Sequence, residues 1–244
     1  MIHVVIPTLN EEARIGELLD AVGDQLKKEQ WRAIHVDDGS ADGTVSVVSQ
    51  RREQGCPVQT IRHETNLNIG ATFRDGLLAA LAEAEGDDDV VVIMEGDMTS
   101  DPALLPRLIQ SIHAGHDVAV ASRYRSGSGQ PGFPIRRRVM SWVLNRIILR
   151  VAVRIPGVRD YSIFYRAYRL GILRRGFETH RDRLMECPGF GANAELLCKL
   201  GALGARCTEV PFVYNYALCG GNSSISIGRT IREYGRLLRS LRTR

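Results

Sequence analysis

The chain has 244 residues, 44% of them hydrophobic and 25% charged, with a net charge of +4. Those values exclude disordered and collagen-like chains and fit one α/β domain able to bury a core. Five cysteines without a CxxC pair argue against a zinc site or a disulfide framework and fit a reducing cytoplasm.

Taken in chain order, the first half alternates between two periods. Residues 2–6 form a short apolar run, and 11–26 carry Ile15, Leu18, Leu19 and Val22 at helical spacing. The opening MIHVVIPTLNEE enters that first strand at once, without the basic stretch and apolar run of a leader. Strands are expected at 33–36, 58–62, 90–94 and 117–121, with helices at 42–53, 71–84 and 104–114 between them. This rhythm predicts parallel pairing in an open sheet covered on both faces. In such sheets ligands bind beyond the carboxyl ends of the strands. The segments found there are PTLNE, DDGSADGT, EGDMTSD and SRYRSGSG, so acidic and polar groups collect along one edge.

Arginine is unevenly placed: thirteen lie between Arg123 and Arg175 and six more from Arg229 onward. That asymmetry points to an anionic partner. The stretch from Arg136 reads as an amphipathic helix, with Arg146, Arg150 and Arg154 on one face and Val143, Ile147 and Val151 beside them. It suits either a helix packed on the domain or one lying at a membrane interface. No apolar run approaches the ~20 residues that span a bilayer.

Thr8–Glu11, TLNE, fits a capping box in which Thr8 accepts from the Glu11 amide. Adjacent acids at the end of a strand, as in VDDGS, can accept a hydrogen bond from a base N–H. Glu95 and Asp97 follow the apolar run VVVIM directly, and hard cations prefer such oxygen ligands. Arg123, Arg125 and Arg136–Arg138 offer guanidinium forks suited to phosphate. The six histidines show no HExxH spacing, and GxSxG, GxxxxGKS/T and GxGxxG are absent.

The ordered set VVIPTLNEE, VDDGSADGT, EGD, ASRYRSG, RDYSIFYRAYR and EVPF resembles family 2 glycosyltransferases, in particular the dolichol-phosphate (polyprenyl-phosphate) mannosyltransferase-like branch. The resemblance runs over about residues 1–215 and implies a single-domain α/β fold of the GT-A type with a mostly parallel central sheet. It implies a nucleotide-sugar half at 1–122, an acceptor half at 123–215, and a basic, helical tail at 216–244. By that resemblance Pro7, Leu9, Glu11, Asp38 and Gly70 serve the nucleotide, with Asp38 holding the base. Glu95, Asp97 and Thr99 take the places of a DxDxQ metal motif for Mg²⁺ or Mn²⁺, Asp97 being the safer direct ligand. Arg123, Arg136, Ser162 and Arg166 face phosphate or acceptor, and Glu195 lies near the acceptor, a candidate base should the acceptor be a hydroxyl.

Three departures stand out. Phe164 occupies a glycine place, GNSSIS lacks a lysine, and Leu67–Asn68 replace a basic residue and glycine. The transmembrane helices that some relatives append are missing. The expected activity is metal-dependent, inverting transfer of a hexose from a UDP- or GDP-sugar to a polyprenyl phosphate, in the cytoplasm or at the inner face of the membrane. The alternatives are a soluble hydroxyl acceptor, favoured by the altered YSIFYR segment, and a non-catalytic nucleotide-sugar-binding protein. Nucleic acid is not expected, because the acidic ligand edge repels its phosphates.

Overall fold

Val and Ile dominate the first strand, β1 (Ile2–Thr8), and every one of its residues is buried, as in a central strand covered on both faces. It pairs in parallel with β2 (Trp31–Asp37) on one side and β4 (Val90–Ile93) on the other, and β2 pairs in parallel with β3 (Val58–Arg62). The computed structural model describes residues 1–145, 153–216 and 232–235. Its seven-stranded sheet has the order β3-β2-β1-β4-β6-β5-β7, where β5 is Val118–Ser122, β6 is Arg166–Arg169 and β7 is Cys207–Pro211.

The mostly parallel sheet carries one strand the periodicity does not reveal. β6 runs antiparallel to both β4 and β5 and separates them, while β7 joins β5 in parallel. Its sequence is RAYR, which has no apolar run. Arg166 can nonetheless sit with no exposed surface, because its guanidinium donates to the Asn193 backbone oxygen (2.7 Å), Asn193 Oδ1 (2.9 Å) and the Tyr161 carbonyl (2.7 Å). Hydrogen bonding thus replaces the apolar character a buried strand otherwise needs.

Helices α1 (Ile15–Leu26), α2 (Thr44–Glu53), α3 (Ile69–Glu83) and α4 (Leu105–His113) connect the parallel strands. In α1 the buried Ile15, Leu18, Leu19, Val22 and Leu26 form one stripe. That helix starts four residues later than the 11–26 spacing predicts, and Thr8 and Glu11 do not cap it. The Thr8 hydroxyl is 2.8 Å from His35 Nε2, and the Glu11 amide donates instead to Thr44 Oγ1 at 2.8 Å. His35 is pushed down to about 4 by burial, so its neutral ring bridges Thr8 on β1 and Thr60 on β3.

The second half adds α5 (Ile135–Val143), α6 (Leu170–His180) and α7 (Gly191–Ala202). α5 buries no residue, whereas α7 is buried continuously from Gly191 to Leu200. Residues 232–235 are helical and place Glu233 and Tyr234 in buried positions. Most of the predicted basic tail lies outside the described residues, as do GNSSIS and the stripe positions Arg146, Ile147, Arg150 and Val151. Among the described residues no helix is long and apolar enough to cross a membrane.

Close packing of α3 on the sheet depends on Gly76. A Cβ there would lie 2.4 Å from Val5 Cγ1 and 3.1 Å from Val36 Cγ2. We expect Gly76→Ala to destabilise by about 1–3 kcal/mol through overpacking, outweighing a helix-propensity gain of about 1 kcal/mol. Gly86→Ala, whose Cβ meets nothing within 4 Å, should be near neutral in the same urea titration.

Candidate functional site

The loops that leave β1, β2 and β3 are stitched to one another at the carboxyl edge of the sheet. The Asn10 amide donates to Ser40 Oγ (2.9 Å), the Ala41 amide to Asn10 Oδ1 (2.9 Å), and the Gly43 amide to Glu12 Oε2 (2.9 Å). Asp38 is the knot between the second and third loops. Its carboxylate accepts from the Leu67 amide (2.8 Å) and the Asn68 amide (3.0 Å), and its Oδ1 lies 2.8 Å from His63 Nδ1. His63 Nε2 lies 3.1 Å from Asp75 on α3, which ties the arrangement to a rigid element. Gly70 cannot carry a side chain, since a Cβ would be 2.3 Å from the Cys187 carbonyl, and its amide donates to the Pro188 carbonyl at 2.9 Å. Pro7 is buried, while Leu9 and Leu67 are exposed on loops tied to Asp38.

Backbone strain concentrates here. Asn10, Asn68 and Met98 adopt φ of 58°, 73° and 66°, one in the loop after each of β1, β3 and β4. Asparagine tolerates that region; methionine does so only when its surroundings enforce it. The Met98 turn lets Asp97 Oδ1 accept from both the amide (3.0 Å) and the hydroxyl (2.5 Å) of Thr99. Glu95 Oε2 receives longer contacts of 3.4 Å from the Thr99 and Ser100 hydroxyls.

Three carboxylates therefore gather beside one another. A Cβ on Gly96 would fall 3.7 Å from Glu11 Cγ and 2.7 Å from Thr8 Cγ2, so the EGD turn presses against the PTLNE loop. Burial, reinforced by the Asp97 charge, pushes Glu11 up to about 7. The same two causes, in the same order, push Glu95 up to about 8 against the opposing pull of Arg123. Like charges brought together in a partly buried site favour protonation unless a cation intervenes. The donor set is all oxygen, which suits a hard divalent ion. Among the described residues no group of three or more His, Cys, Asp or Glu side chains is placed to hold a metal ion, so any coordination here would need other oxygens.

On the other side of this cluster lies a buried guanidinium. Arg123 Nε and Nη2 donate to the two oxygens of Asp160 at 2.8 Å each, and Nη2 also donates to Ser162 Oγ at 2.8 Å. Burial by itself would raise Asp160; the Arg123 charge and its hydrogen bonds outweigh that and hold the carboxyl below its ordinary value. Asn145 donates to Ser162 Oγ (2.9 Å) and accepts from the Tyr161 amide (2.7 Å), joining the end of α5 to the same loop.

The family model described as Glycosyl transferase family 2 matches residues 3–177. The chain belongs to that family. A polyprenol monophosphomannose synthase of Mycolicibacterium smegmatis is 31% identical over 234 residues, 94% of this chain and 82% of that protein. An undecaprenyl-phosphate mannosyltransferase of Micrococcus luteus is 29% identical over 217 residues, 86% of this chain and 82% of that one. A dolichol-phosphate mannosyltransferase of Pyrococcus furiosus is 28% identical over 238 residues, 96% of this chain, which spans only 61% of that relative. Among solved structures, glucosyl-3-phosphoglycerate synthase of Mycobacterium tuberculosis with Mn²⁺, UDP and its product superposes with a TM-score of 0.60 at 21% identity, covering 99% of this chain and 77% of that one. Its complex with UDP gives 0.64 at 20% identity, with coverages of 99% and 79%. At this identity the likeness speaks for the GT-A fold.

Within this family 2 chain the expected site residues fall into two groups. Glu11, Glu95, Asp97 and Thr99 converge, and Arg123 lies close enough to act on Glu95 electrostatically. Arg136 is exposed on α5. Arg166 and Glu195 are buried and held by hydrogen bonds within the protein. Glu195 accepts from the Glu186 and Cys187 amides at 2.8 Å each and pairs with Lys199 Nζ at 2.6 Å. It thereby anchors the 186–188 turn whose carbonyls meet Gly70, a positioning arrangement. Phe164 is buried between Phe73 and Phe190, with ring centroids at 5.1 and 5.4 Å, so the residue in the glycine place fills the core.

Sequence reading did not single out Asp160, Asn145 or His63. Asp160 begins the RDYSIFYR motif, but its pairing with a residue 37 positions away is invisible until the chain folds.

The raised carboxyls set the sign of a pH effect. Because Glu11 and Glu95 bind protons more tightly folded than at their ordinary 4.5, unfolding releases protons, and stability falls as pH rises from about 4.5 to 8. We expect Tm without divalent cation to decline over that window, and millimolar Mn²⁺ to restore it most strongly at pH 8. Calorimetric scans at pH 5, 6.5 and 8 check this; a Mn²⁺ effect independent of pH would contradict it.

Proposed function

We propose that this chain is a metal-dependent, inverting hexosyltransferase that moves a sugar from a UDP- or GDP-sugar to a polyprenyl phosphate. The observation that carries the reading is the Glu11–Glu95–Asp97 cluster, with two carboxyls pushed into the neutral range, set beside a buried guanidinium at the carboxyl edge of the sheet. The names of the mannosyltransferase relatives support the acceptor class. The Mn²⁺ and Mg²⁺ complexes of the structural neighbour support the cation.

The residues divide the work as follows. Asp38 holds the Leu67 and Asn68 amides and His63 with three of its roughly four lone-pair sites, and the remaining site accepts from a base N–H. Leu9 and Leu67 provide apolar contact for the flat base, and Pro7 and Gly70 shape the floor of that pocket. Asp97, with Glu95 and Thr99, holds Mg²⁺ or Mn²⁺, which when bound supplies positive charge against the diphosphate of the leaving group. Arg123, fixed by Asp160, faces the same developing charge from the protein side. A phosphate acceptor is already an anionic nucleophile, so no general base is required, only positioning by Arg123, Arg136 and Ser162. That fits a Glu195 occupied by the 186 and 187 amides and by Lys199.

A hydroxyl acceptor remains the second reading, and the buried position of Phe164 removes the sequence feature that favoured it. Transfer of radiolabelled sugar into an organic phase with polyprenyl phosphate, and not to water-soluble acceptors, distinguishes the two. Asp97→Asn should lower transfer by about 10²–10³-fold, the scale of losing one preorganised electrostatic group, while far-UV dichroism stays unchanged. A wild-type rate in Asp97→Asn would overturn the cation assignment.

We also propose peripheral contact with the inner face of the membrane through α5. Ile135, Val139 and Trp142 recur at i, i+4 and i+7 and are exposed by 72%, 56% and 47%, next to Arg136–Arg138. Anionic vesicles should shift tryptophan emission to the blue, and Trp142→Ser should abolish the shift.

A further inference from the structure

We propose a second anion site, separate from the carboxylate edge: a cleft of about 530 Å³ bounded by Arg125, Arg154 and Arg159 that takes a phosphate group. Among the described residues the rest of its lining is the Ile155–Val158 turn, and the charged side chains are three guanidiniums. A volume of this order is that of a small-molecule pocket.

The charge balance around the cleft is what points to an anion. Arg125 Nε lies 2.9 Å from Glu209 Oε2, and its Nη2 donates to the Gly157 carbonyl at 3.1 Å. Arg159 reaches a neutral acceptor, the Tyr124 carbonyl, at 3.4 Å. Among the described residues neither Arg154 nor Arg159 has a carboxylate partner. Among the described residues Glu209, paired with Arg125, is thus the one carboxylate set against these guanidiniums. Its other oxygen is already taken, since Glu209 Oε1 accepts from the Arg159 amide (2.6 Å) and the Asp160 amide (2.7 Å).

The turn that forms the cleft is built under constraint. Arg154 adopts φ of 43°, a conformation that only an over-determined site holds in a non-glycine residue. Gly157 has φ of 83°, and a Cβ on it would lie 2.8 Å from the Cys207 carbonyl, so the backbone is pressed against β7. Ile155 and Val158 point inward and are buried. The chain is thereby turned so that Arg154 and Arg159 bracket an apolar segment and face Arg125. Guanidinium forks match phosphate oxygens in pairs, which a lone ammonium does not.

Glu209 links this cleft to the site described above, because it pairs with Arg125 and holds the amide of Asp160, the partner of Arg123.

Calorimetric titration of the full chain with inorganic phosphate at low ionic strength, with EDTA and no donor, tests it. Without a cation the acidic edge repels phosphate, and the part of the binding that depends on Arg154 and Arg159 reports on the cleft. We expect saturable binding that weakens by at least about tenfold in Arg154→Ala/Arg159→Ala, as expected for loss of two charge-assisted forks, and is unchanged in Arg107→Ala on exposed α4 surface. No binding to wild type, or a double variant within twofold of it, overturns the proposal. Should the alanine pair fail to fold, Arg154→Lys/Arg159→Lys must still bind more weakly than wild type; equal binding overturns it. Dihexanoyl phosphatidic acid below its micelle concentration separates the sources: tighter binding than phosphate through the same arginines means a lipid headgroup, equal binding means a free phosphate ligand. Lipid binding indifferent to these arginines overturns the site.

Discussion

A guanidinium without any exposed surface, Arg166, holds the second half of this protein together. It sits at the start of β6, opposite Ile93 on β4 and Val120 on β5, where the sheet would otherwise have to pair those two strands directly. Burying such a group is costly unless its donors are satisfied. Asn193 at the start of α7 and the Tyr161 carbonyl supply the acceptors, and the nearby Asp160 carboxylate supplies opposite charge. Those partners fix the loop 160–163 relative to α7. The position of Asp160, and through it of Arg123, follows from that arrangement.

The two halves of the ligand edge are therefore organised by opposite electrostatic logic. In the first half, like charges are forced together: Glu11, Glu95 and Asp97 sit near one another at the cost of raised carboxyl pKa values and a left-handed Met98. In the second half, opposite charges are paired and buried, as in Arg123–Asp160 and Glu195–Lys199. Unsatisfied repulsion of this kind is what a bound cation would relieve. Satisfied pairs suit a framework, because removing either partner leaves an uncompensated charge. The two halves meet where Gly70 touches the 187–188 carbonyls, a contact that only glycine permits.

Much of this was legible in the chain itself. The alternation of apolar runs with helical periods located β1 to β5 and α1 to α4 within a few residues, because buried parallel strands and amphipathic helices leave distinct periods. The placing of DDGS and EGD directly after such runs located the ligand edge. The TLNE segment misled: a capping box is a local pattern, and two distant residues, His35 and Thr44, took over the groups it needed. RAYR was not legible as a strand, since a buried arginine reads as surface until its acceptors are known.

What the amino-acid sequence determined by itself is the period of each element and the types of group delivered to the edge: carboxylates after β4, acids after β2, arginine after β5. Those are local properties, set by side-chain spacing and turn chemistry. Which carboxylates share a field, which arginine is clamped and which acid is fully hydrogen-bonded were decided only by tertiary structure. Glu11 and Asp97 are 86 residues apart in the chain, and Arg123 and Asp160 are 37 apart. Coulomb interaction and desolvation depend on distance through space and on burial, and neither quantity exists for the chain before it folds.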